Sequence, residues 1–213
     1  MTDDFFYYDA SGNISKIMFI NLPSDTSWQN YYYKNGHLVY MIRLYKGTKG
    51  DTVFYTYNSG NYVEVNESGF MLKYYYDQSN LLAKIERYDS GKLTAYSDYY
   101  FDPRGNCRNC DQYERTGSGF GFKQIDFIEY GDFKNPDHSI GLPPLNDYSA
   151  LTGEYLSPNN VVKWTMITSY SDSIVMYYHY KSFNNNGYPL SYKVGDSTGN
   201  QIISNETLEY LCP

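Results

Sequence analysis

The stretch LKYYYDQSNLLAKIERY, which is Leu72–Tyr88, decides the fold class of this chain. Apolar residues occupy every second position of Leu72–Tyr76, and a second apolar run covers Leu81–Tyr88. The polar residues Asp77–Asn80 separate the two runs. Alternation of this kind is typical of a strand with one buried face, and a short polar break is typical of a tight turn. The stretch is therefore predicted to form a β-hairpin.

The same alternation predicts which side chains of the second strand are buried. Because successive side chains of a strand point to opposite faces, Leu81, Ala83 and Ile85 are expected to share one face. The other face then carries Leu82, Lys84, Glu86 and Tyr88. We expect Ile85 to be buried, so that a charge placed there destabilises the fold.

Hairpin patterns recur along most of the 213 residues. Asn35-Gly36 is the strongest of the turn signals, because a type I′ turn needs positive φ at both central residues. Other turns begin with an acidic residue, whose carboxylate is expected to accept hydrogen bonds from turn N–H groups. These residues are Asp9, Asp77, Asp89 and Asp102. Turns this short cannot make parallel crossovers, so the chain is predicted to be all-β, a sequential antiparallel meander forming a strongly curved sheet or a barrel.

The hairpin pattern lapses in Gly131–Asn160, which contains Pro136, Pro143, Pro144 and Pro158. Proline cannot donate to a sheet ladder, so this segment is expected to be a long loop. Within the loop, Leu145–Leu156 is predicted to hold a short helix. Strand patterns resume after it, and residues 1–213 are predicted to form a single all-β domain with the loop as an insert.

Composition limits the classes of partner. The net charge of −7 disfavours nucleic acid and anionic membranes. No apolar run approaches the roughly 20 residues of a membrane-spanning helix, so no transmembrane segment is predicted. The first residues, MTDDFFYYD, lack the basic and apolar regions of a signal peptide. Richness in Tyr, Asn and Ser favours an extracellular, periplasmic or outer-membrane-anchored protein whose signal segment is absent from this chain, with a cytoplasmic protein as the alternative.

A Tyr-Asp pair followed by a turn and by spaced aliphatic residues occurs at Tyr7–Ile17, Tyr75–Ile85 and Tyr88–Leu93. This unit resembles the YD repeat, in which the turn usually contains a glycine. The second copy lacks the glycine and the third has a shorter turn. The stretch Pro103–Cys110 does not fit the pattern.

The later half contains Phe127-Ile128-Glu129-Tyr130 followed by Asn135-Pro136, then Ser157–Val161 and Tyr178–Pro189. In these segments it resembles a family of uncharacterised secreted lipoproteins of gut bacteria, described as a domain of unknown function with a porin-like fold. Together the two resemblances imply a surface or periplasmic protein with a curved antiparallel sheet. They imply no catalytic residue.

Cys107-Arg108-Asn109-Cys110 is the one motif with a chemical repertoire. A CxxC pair serves thiol–disulfide exchange, metal binding or a structural role. Redox pairs normally begin a helix, and a zinc site needs two further ligands, so a structural role is expected with the other two as alternatives. The pairing state of Cys107, Cys110 and Cys212 stays open. No metal site and no cofactor is predicted.

No catalytic residue is predicted, because His37, His138 and His179 lie apart and no nucleophile motif accompanies them. Trp28 is the candidate ligand-binding residue, since its polar context indicates a loop and a loop Trp either folds back or faces a partner. The expected function is non-catalytic binding of a glycan or a peptide at the cell surface, through loop aromatics and the Gly131–Asn160 segment. The alternatives are a hydrolase with a carboxylate pair on a concave sheet face and a structural module for surface assembly.

Overall fold

The computed structural model describes residues 2–21, 25–59, 62–67, 69–117, 119–135, 156–170, 172–198 and 201–207. These residues form fifteen β-strands. The strands are β1 (Thr2–Tyr8), β2 (Ile14–Asn21), β3 (Asp25–Lys34), β4 (His37–Tyr45), β5 (Thr48–Asn58), β6 (Tyr62–Glu67), β7 (Phe70–Tyr76), β8 (Leu82–Asp89), β9 (Lys92–Phe101), β10 (Cys107–Thr116), β11 (Gly119–Lys134), β12 (Asn159–Thr168), β13 (Ser173–Phe183), β14 (Pro189–Gly195) and β15 (Ile202–Thr207). Within the described ranges, no helix has the length and apolarity that a membrane crossing needs.

All fifteen strands belong to one sheet, in which each strand pairs antiparallel with its neighbours in sequence. This order confirms the predicted all-β sequential meander. The strands β1 and β15 are the edges of the sheet, so of the two expected forms the structure has the open sheet. Turns after odd-numbered strands lie at one end of the sheet, which we call the odd rim, and the other turns lie at the opposite end.

Four turns on the odd rim share one construction. In the first, the Asp9 N–H donates to the Asn13 carbonyl at 2.8 Å, and the Gly12 N–H donates to the Asp9 carbonyl at 3.0 Å. The Asp9 Oδ1 accepts the N–H groups of Ser11 and Asn13 at 2.8 and 2.9 Å. The same bonds recur in the turns that begin at Asp77, Asp102 and Asn184. The predicted capping role is therefore confirmed for Asp9, Asp77 and Asp102.

Asp89 plays a different part. It precedes a two-residue turn, Ser90-Gly91, whose φ angles are 50° and 75°. Such a turn closes through backbone pairing and leaves no loop N–H for a preceding carboxylate. The Asp89 carboxylate instead accepts hydrogen bonds from Arg87 and Thr94. The prediction that Asp89 caps its turn is wrong.

A β-bulge next to the Asp77 turn changes which side chains are buried. Tyr75 pairs with Lys84 and Tyr76 pairs with Leu82, so Ala83 has no direct partner. The extra residue brings Leu82 to the buried face of Ile85, and they are 5% and 0% exposed. The prediction that Leu82 shares the face of Lys84 is therefore wrong, whereas the burial of Ile85 is confirmed.

The same bulge places two buried residues three positions apart in four hairpins. The pairs are Ile14 and Ile17, Leu38 and Met41, Leu82 and Ile85, and Cys107 and Cys110. The stretch Pro103–Cys110, which the sequence pattern left out, therefore forms the same turn and bulge as Tyr7–Ile17. The CxxC motif occupies positions that hold aliphatic side chains in the other hairpins.

One hydrophobic core covers a single face of the sheet, which we call the inner face. Val53, Val65, Leu72 and Ile85 have no exposed area there. The core runs from Ile14 and other side chains of β2 to the cysteines of β10. Side chains of a one-layer sheet reach full burial when the twisted sheet curls around them, as the predicted curvature requires. The opposite face is the outer face.

The predicted loop Gly131–Asn160 is shorter than expected. β11 continues to Lys134 and β12 begins at Asn159, so both ends of the predicted loop belong to strands. The connection of residues 135–158 leaves β11 at the odd rim. The predicted helix at Leu145–Leu156 lies outside the described residues, apart from its last residue.

Candidate functional site

The outer face of β9, β10 and β11 carries a slot with aromatic walls. Tyr100 in β9 and Phe127 in β11 are the direct cross-strand partners of Asn109 in β10. Tyr100 is 50% exposed and Phe127 is 46% exposed. Because neighbouring strands lie about 4.8 Å apart, the backbones that carry these two rings are about 10 Å apart. We call these three residues, together with Asp98 and Asp111, the Tyr100 slot.

Two carboxylates lie beside the aromatic row. Asp98 in β9 and Asp111 in β10 are directly opposed partners, an arrangement that destabilises a sheet when both are charged. Partial burial raises the pKa of Asp98; Lys84 opposes that rise, and the Asp111 charge adds to it. The Lys84 ammonium also bonds Glu86, at 3.2 Å. The slot is therefore acidic and rich in hydrogen-bond acceptors.

The amide of Asn109 forms the floor between the two rings. Its Nδ2 donates a hydrogen bond to Asp111 Oδ1 at 2.8 Å, which fixes the orientation of the amide. Its Oδ1 is buried and accepts no hydrogen bond from the described residues. An acceptor left in this state costs about 1–3 kcal/mol. Because this oxygen is buried, a ligand hydroxyl can reach it only after neighbouring side chains move.

Core packing orients the residues of the slot. Arg108 is the extra residue of the bulge between β9 and β10, so the motif turns both of its cysteines inward. Asn109 and Asp111 then face outward. In β9, Ser97 and Tyr99 are buried on the inner face, which leaves Asp98 and Tyr100 on the outer face. The orientation of these side chains therefore follows from the repeated bulge and from strand alternation, and no loop residue is needed to explain it.

A ladder of stacked rings borders the slot. Tyr96 and Tyr113 stack with ring centroids 4.7 Å apart and an interplanar angle of 18°. Phe120 meets Tyr96 edge-on at 5.2 Å, and Lys84 Nζ lies 4.7 Å from the Tyr96 centroid. These rings cover one another and stabilise the sheet. The more exposed faces of this region belong to Tyr100 and Phe127.

A further carboxylate with a raised pKa lies on the inner face. Asp126 is 1% exposed, and burial raises its pKa despite the hydrogen bonds that it accepts. Trp164 Nε1 donates to Asp126 Oδ1 at 2.9 Å. Gln112 and Gln124 donate through Nε2 at 3.1 and 2.8 Å. Asp126 pairs with Cys110, whose neighbour Asp111 faces the other side, so Asp126 does not join the outer carboxylates.

A buried polar network holds the two ends of the long connection. Ser157 Oγ accepts the Cys107 N–H at 2.9 Å and donates to Tyr130 Oη at 2.8 Å. The Tyr130 hydroxyl donates in turn to the Cys107 carbonyl at 2.7 Å. Asn135 Nδ2 donates to the Ser157 carbonyl at 2.8 Å. The start and the end of the connection are thereby joined to the first residue of β10.

Asn106 completes this network, which we call the stem network. Its Oδ1 accepts the Asn159 N–H at 3.1 Å, and Asn106 is 0% exposed. Three of the segments that carried the second resemblance therefore meet here, through Tyr130, Asn135 and Ser157. Sequence analysis does not identify Asn106, because its hydrogen-bond partner lies 53 residues away.

Trp28 lies in strand β3, opposite Met18 of β2 and Leu44 of β4. The prediction that it lies in a loop is wrong, because Asp25–Lys34 is continuous strand. Trp28 is half-buried, and Lys16 Nζ lies 5.4 Å from its ring centroid. Five strands separate β3 from β9, so the structure does not bring Trp28 to the Tyr100 slot. Its role in binding stays a prediction.

Cys107 and Cys110 are free and fully buried. Burial raises the pKa of Cys107 to about 12, so that its thiol stays protonated at neutral pH. A redox role would need the opposite shift. Among the described residues, no three metal-ligating side chains gather in one place. Cys212 lies outside the described residues, so its pairing stays a prediction.

His179 lies in strand β13. Its Nε2 lies 2.7 Å from the Asp196 carbonyl oxygen, and its cross-strand partner is Lys193. Tyr178 and Tyr180 point to the opposite, inner face. His37 begins β4 and its ring lies 4.7 Å from that of Tyr57. His138 lies outside the described residues.

No protein-family model and no curated protein matches the chain. A porin-like protein from Bacteroides vulgatus is similar in structure, with 10% identity and a TM-score of 0.47 over 98% of this chain and 96% of the other. A porin-like protein from Bacteroides uniformis shows 12% identity and a TM-score of 0.40 over 96% of this chain and 87% of the other. Similarity at this level assigns no activity and no residue role to the chain.

Proposed function

We propose that this chain is a non-catalytic protein that binds a neutral glycan in the Tyr100 slot. The observation that carries the proposal is the row Tyr100–Asn109–Phe127, in which two exposed rings lie beside the directly opposed carboxylates of Asp98 and Asp111. The apolar face of a sugar ring packs well on an aromatic ring. Sugar hydroxyls donate hydrogen bonds to amide and carboxylate oxygens, and bonds to a carboxylate are the stronger ones.

The charge of the slot selects among ligands. Asp98 and Asp111 make it acidic, and the whole chain carries a net charge of −7, so a polyanion is repelled. A neutral glycan offers many donors and adds no charge. A basic peptide would also satisfy the carboxylates, and the experiment has to separate these two ligands.

Native gel electrophoresis through soluble polysaccharides tests the proposal, followed by calorimetry with oligosaccharides of the retarding type. The panel contains neutral glucan, xylan and mannan, with a lysine-rich peptide as the competing ligand in calorimetry. Tyr100→Ala and Phe127→Ala are expected to weaken glycan binding by about tenfold or more, the loss typical of a central aromatic contact.

Phe54→Ala is the matched control. Phe54 is 55% exposed and faces outward in β5, far along the sheet from the slot. Loss of binding in the slot variants and full binding by this control support the proposal. Equal retardation of all three variants, or binding to the lysine-rich peptide alone, contradicts it.

The second candidate function is hydrolysis of the bound glycan. The observation in its favour is the raised pKa of Asp98 beside the directly opposed Asp111, because a glycosidase needs one carboxyl that holds a proton and one that is ionised. The pair lies on the outer face, which differs from the concave setting expected from sequence. Release of reducing ends that Asp111→Asn abolishes would favour hydrolysis over simple binding.

The proposal includes a location outside the cell, which the richness of the chain in Tyr, Asn and Ser supports. Protease treatment of intact cells that express the full natural protein tests it. Loss of the protein from intact cells is the expected result. Protection until the cells are broken open would contradict the location and leave the binding experiment unaffected.

A further inference from the structure

Two lysine side chains meet on the outer face of β13 and β14. The register places Lys181 beside Lys193 on this face, and partial desolvation and the neighbouring Lys193 both lower the pKa of the Lys181 ammonium. Among the described residues, no carboxylate forms a salt bridge with either lysine. The contact is unexpected in a chain with 24 acidic and 17 basic residues. Like charges held together destabilise a sheet. Their presence therefore indicates a function other than stabilising the fold.

A bulge produces this contact. Tyr180 pairs with Tyr192 and Ser182 pairs with Ser191, so Lys181 is the extra residue of β13. Without it, the side chain after Tyr180 would stand opposite Ser191 and away from Lys193. Bulges commonly redirect a side chain at binding sites. Partial desolvation lowers the pKa of Lys181, and the contact with Lys193 lowers it further.

Further donors surround the lysines. The hydroxyls of Ser182 and Ser191 lie 3.1 Å apart in the next row. His179 is the direct cross-strand partner of Lys193. Its Nε2 is held by the Asp196 carbonyl at 2.7 Å, which fixes the ring in place. Two ammonium groups and two hydroxyls therefore lie on one small area of strand backbone.

We infer that Lys181, Lys193, Ser182 and Ser191 form a binding site for an oxyanion, a phosphate, sulfate or carboxylate group. An oxyanion between the lysines replaces their repulsion with two charge-assisted hydrogen bonds. The serine hydroxyls donate to its remaining oxygens. Strand β12 lies between β11 and this site, so the site is separate from the Tyr100 slot and does not depend on the function proposed for that slot.

The neighbouring lysine on the same face shows what distinguishes the pair. Lys163 of β12 lies on the outer face, opposite Tyr177 of β13. Its Nζ bonds Glu129 Oε1 at 2.6 Å. It therefore has its counter-charge within the protein. Lys163→Gln removes the same formal charge from the same face and is the matched control.

The experiment titrates the intact protein with inorganic phosphate, sulfate and glucuronate at constant ionic strength. The 13Cε resonances of the lysines report binding at each site. Saturable shifts are expected for Lys181 and Lys193, and their order of affinity identifies the class of oxyanion. Lys181→Gln and Lys193→Gln are each expected to weaken binding by about tenfold, and Lys163→Gln is expected to leave it unchanged.

Each outcome decides the inference. Shifts at both lysines that saturate, and that the two variants weaken, support it. Linear shifts with no saturation for all three anions overturn it, as do equal affinities in the two variants and the control. The resonances are recorded on the unmodified protein as well. Its titration therefore tests the inference even if a variant fails to fold.

Discussion

The inner face changes character between β10 and β11, although the strand pairing continues without interruption. From β2 to β10 this face is packed mainly with aliphatic, tyrosine and cysteine side chains, although Ser97 of β9 is also buried there. Near β11 and β12, buried polar side chains take their place. They are Asn106, Asp126, Asn135, Ser157 and Asn160. The inner face therefore has two parts. We call the mainly apolar part from β2 to β10 the dry part, and the part near β11 and β12 the polar part.

The two parts are specified in different ways. In the dry part, a turn and a bulge determine the buried positions within a single hairpin. These positions therefore depend on residues that are close in sequence. In the polar part, partners are far apart in sequence, as Asn106 and Asn159 are. The dry part should therefore tolerate changes of apolar side chain but not charge. The polar part should be sensitive to the loss of a single hydrogen-bond partner.

The largest effect is expected from a charge in the dry part. Ile85→Asp places a carboxylate at a position with no exposed area, and we expect a loss of about 4 kcal/mol or more in the free energy of unfolding. Val175→Asp is the control, because Val175 is 40% exposed, and a change of less than about 1 kcal/mol is expected. Urea denaturation followed by circular dichroism measures both. Similar losses in the two variants would show that the inner face is not a continuous core.

The next effect compares equivalent asparagines of the two parts. Asn106 and Asn13 each donate to the aspartate that begins their turn, at 3.3 and 3.2 Å. Only Asn106 also accepts the Asn159 N–H, and it is fully buried. We expect Asn106→Ala to cost about 2 kcal/mol and Asn13→Ala about 0.5 kcal/mol in chemical denaturation. Equal costs would mean that the stem network adds no stability.

A smaller effect concerns pH. The pKa of Asp126 is raised in the folded state, so the folded protein holds a proton that the unfolded chain releases above its usual pKa of about 3.9. The contribution of Asp126 to stability is therefore greatest at acidic pH and falls as the pH rises towards the folded-state pKa. We expect Asp126→Asn to make the stability less dependent on pH between pH 4 and pH 7. Melting temperatures of both proteins across that range measure it, and parallel curves would contradict it.

The smallest effect is expected from the cysteines. Since Cys107 and Cys110 occupy the positions of Ile14 and Ile17, Cys107→Val and Cys110→Val should each change stability by less than about 1 kcal/mol. In the unmodified protein, both thiols should react slowly with an alkylating reagent until urea unfolds it. Rapid labelling of the native state would contradict the burial of this pair.

The sequence predicted what local patterns determine. The hairpin at Leu72–Tyr88 and the capping by Asp77 depend on neighbouring residues and were found. The burial of Leu82 was missed, because a bulge at Ala83 interrupts an alternation that the sequence alone presents as unbroken. An equivalent bulge at Arg108 gives two core positions the spacing of a CxxC motif, which the sequence alone presents as a separate feature.

The candidate site could not be predicted from the sequence alone. Tyr100, Asn109 and Phe127 lie 9 and 18 residues apart, and only the register of three strands brings them into one row. The contact of Lys181 with Lys193 needs a second bulge that no local signal marks. Trp28 was placed in a loop because polar neighbours resemble a turn, whereas in an antiparallel sheet such residues also form the solvated side of a strand.

The sequential pairing of the strands has a mechanical consequence. Every strand is hydrogen-bonded only to its neighbours in the chain, so tension on the two ends would load the outermost ladders one bond at a time. The hydrogen bonds between the strands would then break one after another from the edges of the sheet. No strand would be loaded in shear against a strand distant in sequence. The release of a ten-residue strand such as β10 would lengthen the extended chain by up to about 35 Å. The stem network is the exception, because Asn106 and Asn159 clamp a span of 53 residues and would have to break before β11 could lengthen the chain.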